Sequence, residues 1–255
     1  MTSARVSILL AALVGLALAG CDGGGDGMGG SGGSGGSGGG GAGPSGEALY
    51  SGPESVKLGS DTNEAACATC HSDDGVQDGW PGNTMKDIAY RMSYKGGDAP
   101  KLVDGVNACV VGWMGGTALA EDSAEFMAMK EYFESISDSS ITDANAIMPE
   151  VLADEAAYEA KYAGGDATAG EAAYTKACGR CHDSSLTVNA VPAVSKAGLV
   201  GYTIGRIAQQ VRTGGPPPSG TMDATDTTPG PMPFFEPKDL SDQDLKDIIA
   251  HLKAQ

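Results

Sequence analysis

Two five-residue stretches carry the densest chemistry in the 255-residue chain: Cys67-Ala68-Thr69-Cys70-His71 and Cys178-Gly179-Arg180-Cys181-His182. In each, two thiols two residues apart run straight into an imidazole. Such a set can contribute to a tetrahedral zinc site, form a dithiol redox couple, or bind a porphyrin through two thioether bonds with the imidazole under its iron. The last suits both stretches best. Both carry the immediate histidine, neither lies in the strand-helix-strand pattern of a thiol redox motif, and each half of the chain has methionines suitably placed for a second axial ligand. Two haem c groups are therefore expected, attached at Cys67, Cys70, Cys178 and Cys181, with His71 and His182 on the iron.

The elements that must position these groups repeat. Before the second motif, Gly170, Tyr174 and Cys178 fall four residues apart, on one helical face, and the glycine allows another helix to approach closely. Gly46 and Tyr50 offer the same pair ahead of the first motif, with a longer loop before Cys67. Downstream, the stretch Asp87 to Gly97 echoes Arg206 to Gly215: an Ile-Ala pair, then a Gly-Gly stop suited to a helix C-terminus. Each half closes on an amphipathic helix. Asp122 with Glu125 opens the first, whose stripe is Phe126, Met129, Phe133 and Ile136. Ser241 with Asp244 caps the second, whose stripe is Leu245, Ile248, Ile249 and Leu252. No run of period-two alternation appears. The expected fold is all-α, with domains at 46–137 and 166–255 and a linker at 138–165 that has room for one short helix.

The first twenty residues hold one arginine, no acid and an apolar run too short to span a bilayer comfortably, the pattern of a secretory signal peptide. Their end, Leu18-Ala19-Gly20-Cys21, resembles the bacterial lipobox, which implies cleavage before Cys21 and lipid on that cysteine. Residues 21–45 are rich in Gly and Ser and lack apolar side chains for a core. As a random coil they reach about 25–30 Å. An exported protein on the periplasmic side of a bacterial membrane, held by its lipid alone, is expected. Acidic residues outnumber basic ones 33 to 16, for a net charge of −17. That balance disfavours nucleic acid and anionic headgroups and favours redox protein partners with a basic docking patch.

The second half resembles the class I cytochrome c family over about 90 residues, from Gly170 and Tyr174 through the Cys178–His182 motif to the Met-Pro pair and last helix. The resemblance implies Met232 as the thioether on the far side of the second iron, and the carbonyl of Pro192 as the group orienting His182. Met222 is the alternative ligand. The first half is similar to the dihaem cytochromes related to thiosulfate dehydrogenase and the SoxA-type sulfur-oxidation cytochromes, through Asn107, Cys109, Met114, Gly115, Gly116, Asp122 and Ser123. Gly115 stands where that pattern has asparagine. Met114 is the expected ligand of the first iron, with Cys109 as alternative and Met85, Met92 or an open site behind them.

These ligands imply different work. A neutral thioether raises the reduction potential and suits a one-electron relay. A thiolate lowers it and can form an adduct with a sulfur substrate. The expected function is one-electron transfer between membrane or periplasmic partners. Oxidation of a sulfur compound at a Cys109-ligated haem is the alternative, although the segment from Val103 to Glu121 carries no Lys or Arg to hold an anion. A peroxidase, with the first iron open, is a third class. His251 is expected to sit at the surface or half-buried.

Overall fold

The structure is a computed structural model and describes residues 43–52, 54–60, 65–184, 186–188, 191–214 and 232–255. Cys21, the lipobox, the Gly/Ser tract and Met222 lie outside the described residues. Residues 41–255 form one compact unit. Among the described residues it is helical, apart from one short antiparallel pair in which Thr187 meets Pro192 and Val188 meets Val191, and an isolated bridge between Tyr94 and Ala99. Among the described residues no helix is long and apolar enough to cross a membrane.

The first half runs α1 (Gly46–Tyr50), α2 (Cys67–Cys70), α3 (Leu102–Gly112) and α4 (Ala124–Ser135). The second runs α5 (Glu155–Tyr162), α6 (Ala167–Tyr174), a π-helical turn (Thr175–Gly179), α7 (Arg180–His182), α8 (Lys196–Val200), α9 (Ile204–Thr213) and α10 (Asp242–Lys253). Two apolar cores form within the unit. Leu49, Tyr50, Val110, Phe126, Met129 and Phe133 make one, and Tyr158, Tyr162, Tyr174, Val211, Leu245 and Ile249 are among those making the other.

In both halves the opening helix crosses the closing one: α1 packs on α4, and α6 on α10. A methyl at Gly46 would collide with the Ala128 carbonyl, and one at Gly170 with the Asp247 carbonyl. The closing stripes are buried, except that Ile136 caps α4 and is half-buried. Ser241 caps α10 by accepting from the Asp244 amide at 3.1 Å. The α4 cap is Ser123, which accepts from the Phe126 amide at 3.2 Å, rather than Asp122.

Two expectations change. Asp87 to Gly97 forms no α-helix; Asp87 (φ 59) and Lys95 (φ 54) take left-handed backbone, and only Lys95–Gly97 curls into a short 3₁₀ turn. The helix appears instead at α3, where Leu102, Val103, Val106 and Val110 recur at three- and four-residue spacing and bury one face. Tertiary burial outweighs the modest helix propensity of its valines and glycines. The turn after Tyr174 is π-helical, and Cys178 stays buried in the same core as Tyr174.

The stretch read as linker packs onto the second core through α5, which lies on α9. Its Tyr158 and Tyr162 are fully buried, as is Arg212 of α9. Arg212 donates to Tyr162 Oη at 2.8 Å, to the Leu240 carbonyl at 2.8 Å and to Asp242 Oδ1 at 2.9 Å. Such a buried cation is tolerable because each of these donors is matched.

Candidate functional site

The first motif is a single helical turn. Thr69 Oγ1 accepts from the Ala66 amide at 2.9 Å and the His71 amide returns to the Cys67 carbonyl at 2.9 Å. The chain then bends back so that His71 Nδ1 donates to the Asn83 carbonyl at 2.6 Å. This fixes the tautomer and leaves Nε2 as a lone-pair donor. Burial pushes the His71 pKa down to about 4, so the imidazole is neutral, the form that ligates iron. The ring lies against Gly82, where a Cβ would strike it. Burial also pushes the Cys67 thiol up to about 12.

The second motif repeats this plan. His182 Nδ1 donates to the Val194 carbonyl at 2.6 Å. Histidine and carbonyl are 12 residues apart in both halves. The orienting group is therefore Val194 and not Pro192; the short β pair places Pro192 two residues too early. The tyrosines match as well. Tyr50 Oη donates to the carbonyl of Ser72, directly after His71, at 2.9 Å. Tyr174 Oη donates to Asp183 Oδ1, directly after His182, at 3.0 Å. Each opening helix thus pins the residue that follows its motif histidine.

Of the candidates for the opposite face of the first site, Met114 is 4% exposed and shares a core with Ala68 and Cys67. It follows α3, its amide bonded to the Cys109 carbonyl at 3.0 Å and its carbonyl accepting from the Ser60 amide at 3.0 Å. Cys109 lies on α3 itself, near enough to Cys67 to raise that thiol's pKa. Lys95 Nζ stands 3.5 Å from Cys109 Sγ, a cation that the segment from Val103 to Glu121 lacks. Asn107 brackets the loop beyond: Oδ1 accepts from the Leu119 amide at 2.7 Å and Nδ2 donates to its carbonyl at 2.9 Å. Met85 packs against the first core, whereas Met92 is 70% exposed and unsuited to a buried ligand position. In the second half Met232 packs, partly buried, against its core. His251 is buried rather than superficial, between Tyr174, whose ring centroid is 5.6 Å away, and Lys196 Nζ at 3.0 Å.

The donor set fits a haem c at both motifs: two thiols, an imidazole whose Nδ1 is held by a backbone carbonyl so that Nε2 is free, and a methionine in the adjoining core. Near the first motif Trp80 Nε1 and Asn83 Oδ1 are buried without a hydrogen-bond partner, polar atoms that a bound group with polar substituents could satisfy. Sequence reasoning missed Trp80, Arg180 and Arg212. Each acts through a neighbour distant in sequence, and no local spacing marks it.

Residues 165–252 match the family of cbb3-type cytochrome c oxidase subunit III. That part of the chain is a cytochrome c domain, a class defined by covalently bound haem c. Comparison with curated proteins gives no match. Among solved structures, thiosulfate dehydrogenase from Marichromatium purpuratum, in its as-isolated form, aligns with 82% of this chain and 44% of its own, at 17% identity and a TM-score of 0.35. The chain thus spans less than half of that protein's length.

Proposed function

We propose that this chain, with its cytochrome c domain at 165–252, is a lipid-anchored dihaem cytochrome that passes single electrons between redox partners on the periplasmic side of a bacterial membrane. The observation that carries the reading is the repeated histidine-to-carbonyl distance of 12 residues. A chain that orients one motif histidine for iron in a cytochrome c domain treats the other in the same way.

Haem c bound at these motifs supplies a one-electron couple. Cys67 and Cys70 would hold one group and Cys178 and Cys181 the other. His71 and His182 would present Nε2 to the iron, because the carbonyls of Asn83 and Val194 occupy Nδ1. Met114, buried in the first core, and Met232, partly buried against the second, would supply the thioethers. The charge of −17 suits brief docking on a basic partner face.

A second reading is favoured by one contact. Lys95 beside Cys109 supplies the cation that a thiolate ligand or a sulfur anion needs, so oxidation of a sulfur compound at the first site is the alternative activity. Haem-to-chain stoichiometry and mass, followed by low-temperature optical and EPR spectra of Cys109→Ala and Met114→Ala, separate the readings. Electron transfer through His/Met sites predicts two haems per chain, unchanged spectra in Cys109→Ala, and loss of one thioether-ligated signal in Met114→Ala. A thiolate signature lost in Cys109→Ala, together with thiosulfate oxidation by the parent, would establish the enzyme. Zinc in place of iron at the motifs would end both.

A further inference from the structure

The two motif turns touch, and the contact is made from inside them. Arg180, between Cys178 and Cys181, donates Nη1 to the Ala68 carbonyl, between Cys67 and Cys70. Its Nη2 donates to Asp73 Oδ1 at 2.9 Å, two residues past His71. Its guanidinium carbon stands 4.1 Å from the centroid of the Trp80 ring. Lys176 flanks the same ring at 5.9 Å and donates to the Asp78 carbonyl at 2.6 Å. Leu186, beyond the second motif, packs into the core of the first half.

The Asp73 carboxylate is 76% exposed, so the ion pair by itself contributes little. What fixes the geometry is the planar guanidinium, stacked on an indole while its edge binds a backbone carbonyl of the opposite motif. Lysine could not combine those contacts.

We propose that Arg180 is a positioning residue for electron passage between the two haem sites, gripping the first C-x-x-C-H turn from within the second so that the two turns stay in contact. The proposal rests on the two-haem reading above. In the step it serves, one electron leaves a ferrous iron, which becomes ferric, and reaches a ferric iron, which becomes ferrous; no bond forms or breaks and no proton moves. Tunnelling falls steeply with the gap between the groups, so a turn freed to drift lowers the rate without altering either iron's ligands.

The test uses the haem-loaded protein and its Arg180→Gln and Arg180→Lys variants. Haem per chain, Tm, both midpoint potentials, the Soret circular dichroism and the inter-haem rate after photoreduction are measured together. In Arg180→Gln the rate should fall about tenfold to a hundredfold, the scale of a small misplacement. The paired Soret bands of two nearby haems should weaken, while haem content and potentials hold; Arg180→Lys should fall between. Trp80→Leu, which removes the stacking face and leaves the guanidinium bonds, should move rate and Soret bands in the same direction, and it decides the matter if Arg180→Gln fails to mature. An unchanged rate and Soret spectrum in the variants that mature overturns the proposal, and so does a fall in Tm and potentials at constant rate, which marks Arg180 as structural only. One haem per chain overturns the two-haem reading and the proposal with it.

Discussion

At the scale of single residues, the function proposed here depends on how an imidazole is aimed. His71 is held on one side by the Asn83 carbonyl and on the other by the absence of a side chain at Gly82. In Gly82→Ala the added methyl strikes the ring, so the ring must leave its carbonyl or the chain must move, at a cost of about 1–3 kcal/mol. His182 has its own carbonyl and should be indifferent. The expected outcome is one altered and one unaltered redox couple in a titration of the variant; two altered couples would show that the sites do not behave independently. The histidines themselves were legible from the motif. Their orienting carbonyls were not, because a backbone acceptor has no residue type to betray it, and the proline named from family resemblance lies two positions short of Val194. Lys95 is among the cations nearest the Val103 to Glu121 segment in sequence, but its contact with Cys109 depends on the left-handed turn that carries it.

At the scale of elements, the two helix crossings are the repeated skeleton, and the glycine at each is a packing requirement. Gly170→Ala drives a methyl into the Asp247 carbonyl of α10, and Gly46→Ala does the same to Ala128 of α4. Backbone cannot swing aside as a side chain can. Each substitution should cost about 2–3 kcal/mol, or about 5–10 °C in Tm, read by thermal unfolding. Gly112→Ala is the control of opposite sign. That glycine is exposed at the end of α3 with nothing near its Cβ position, so alanine there should stabilise by up to about 1 kcal/mol through helix propensity. The closing helices were legible because one face is continuously apolar and the caps are polar residues of the expected kind. Helix α3 was not, because its valines and glycines are weak helix formers and the burial that overrides them is a property of the assembled core. The echo between Asp87–Gly97 and α9 misled for the converse reason: similar residues, but packing that supports a helix in one half only.

At the scale of the whole molecule, charge sets the working range. An acidic chain must place its carboxylates in water or beside cations, and Asp242 with Glu150 does so around Arg212 and Lys161. Asp239 does not. Its Oδ2 is buried without a partner, and burial, aided by the charges of Glu236 and Asp78, pushes its pKa up to about 6 against the pull of Lys238. An unfolded aspartate titrates near 4, so between about pH 4 and pH 6 the folded chain holds the extra proton. Stability from this group is therefore greatest below that window and declines as pH rises through it, reaching a constant cost above about pH 6. Asp239→Asn keeps the shape and removes the charge. Compared with the parent, the variant should gain about 1–2 kcal/mol at pH 7 and little at pH 4, as read from urea midpoints at both values; an equal gain at both pH values would mean that hydrogen bonding rather than ionisation governs the site. Because Asp78 belongs to the first half and Asp239 to the second, the same titration reports on the seam that Arg180 closes. A loosened seam would let water reach Asp239, lower its pKa towards the ordinary value and shrink the parent-to-variant difference at pH 7.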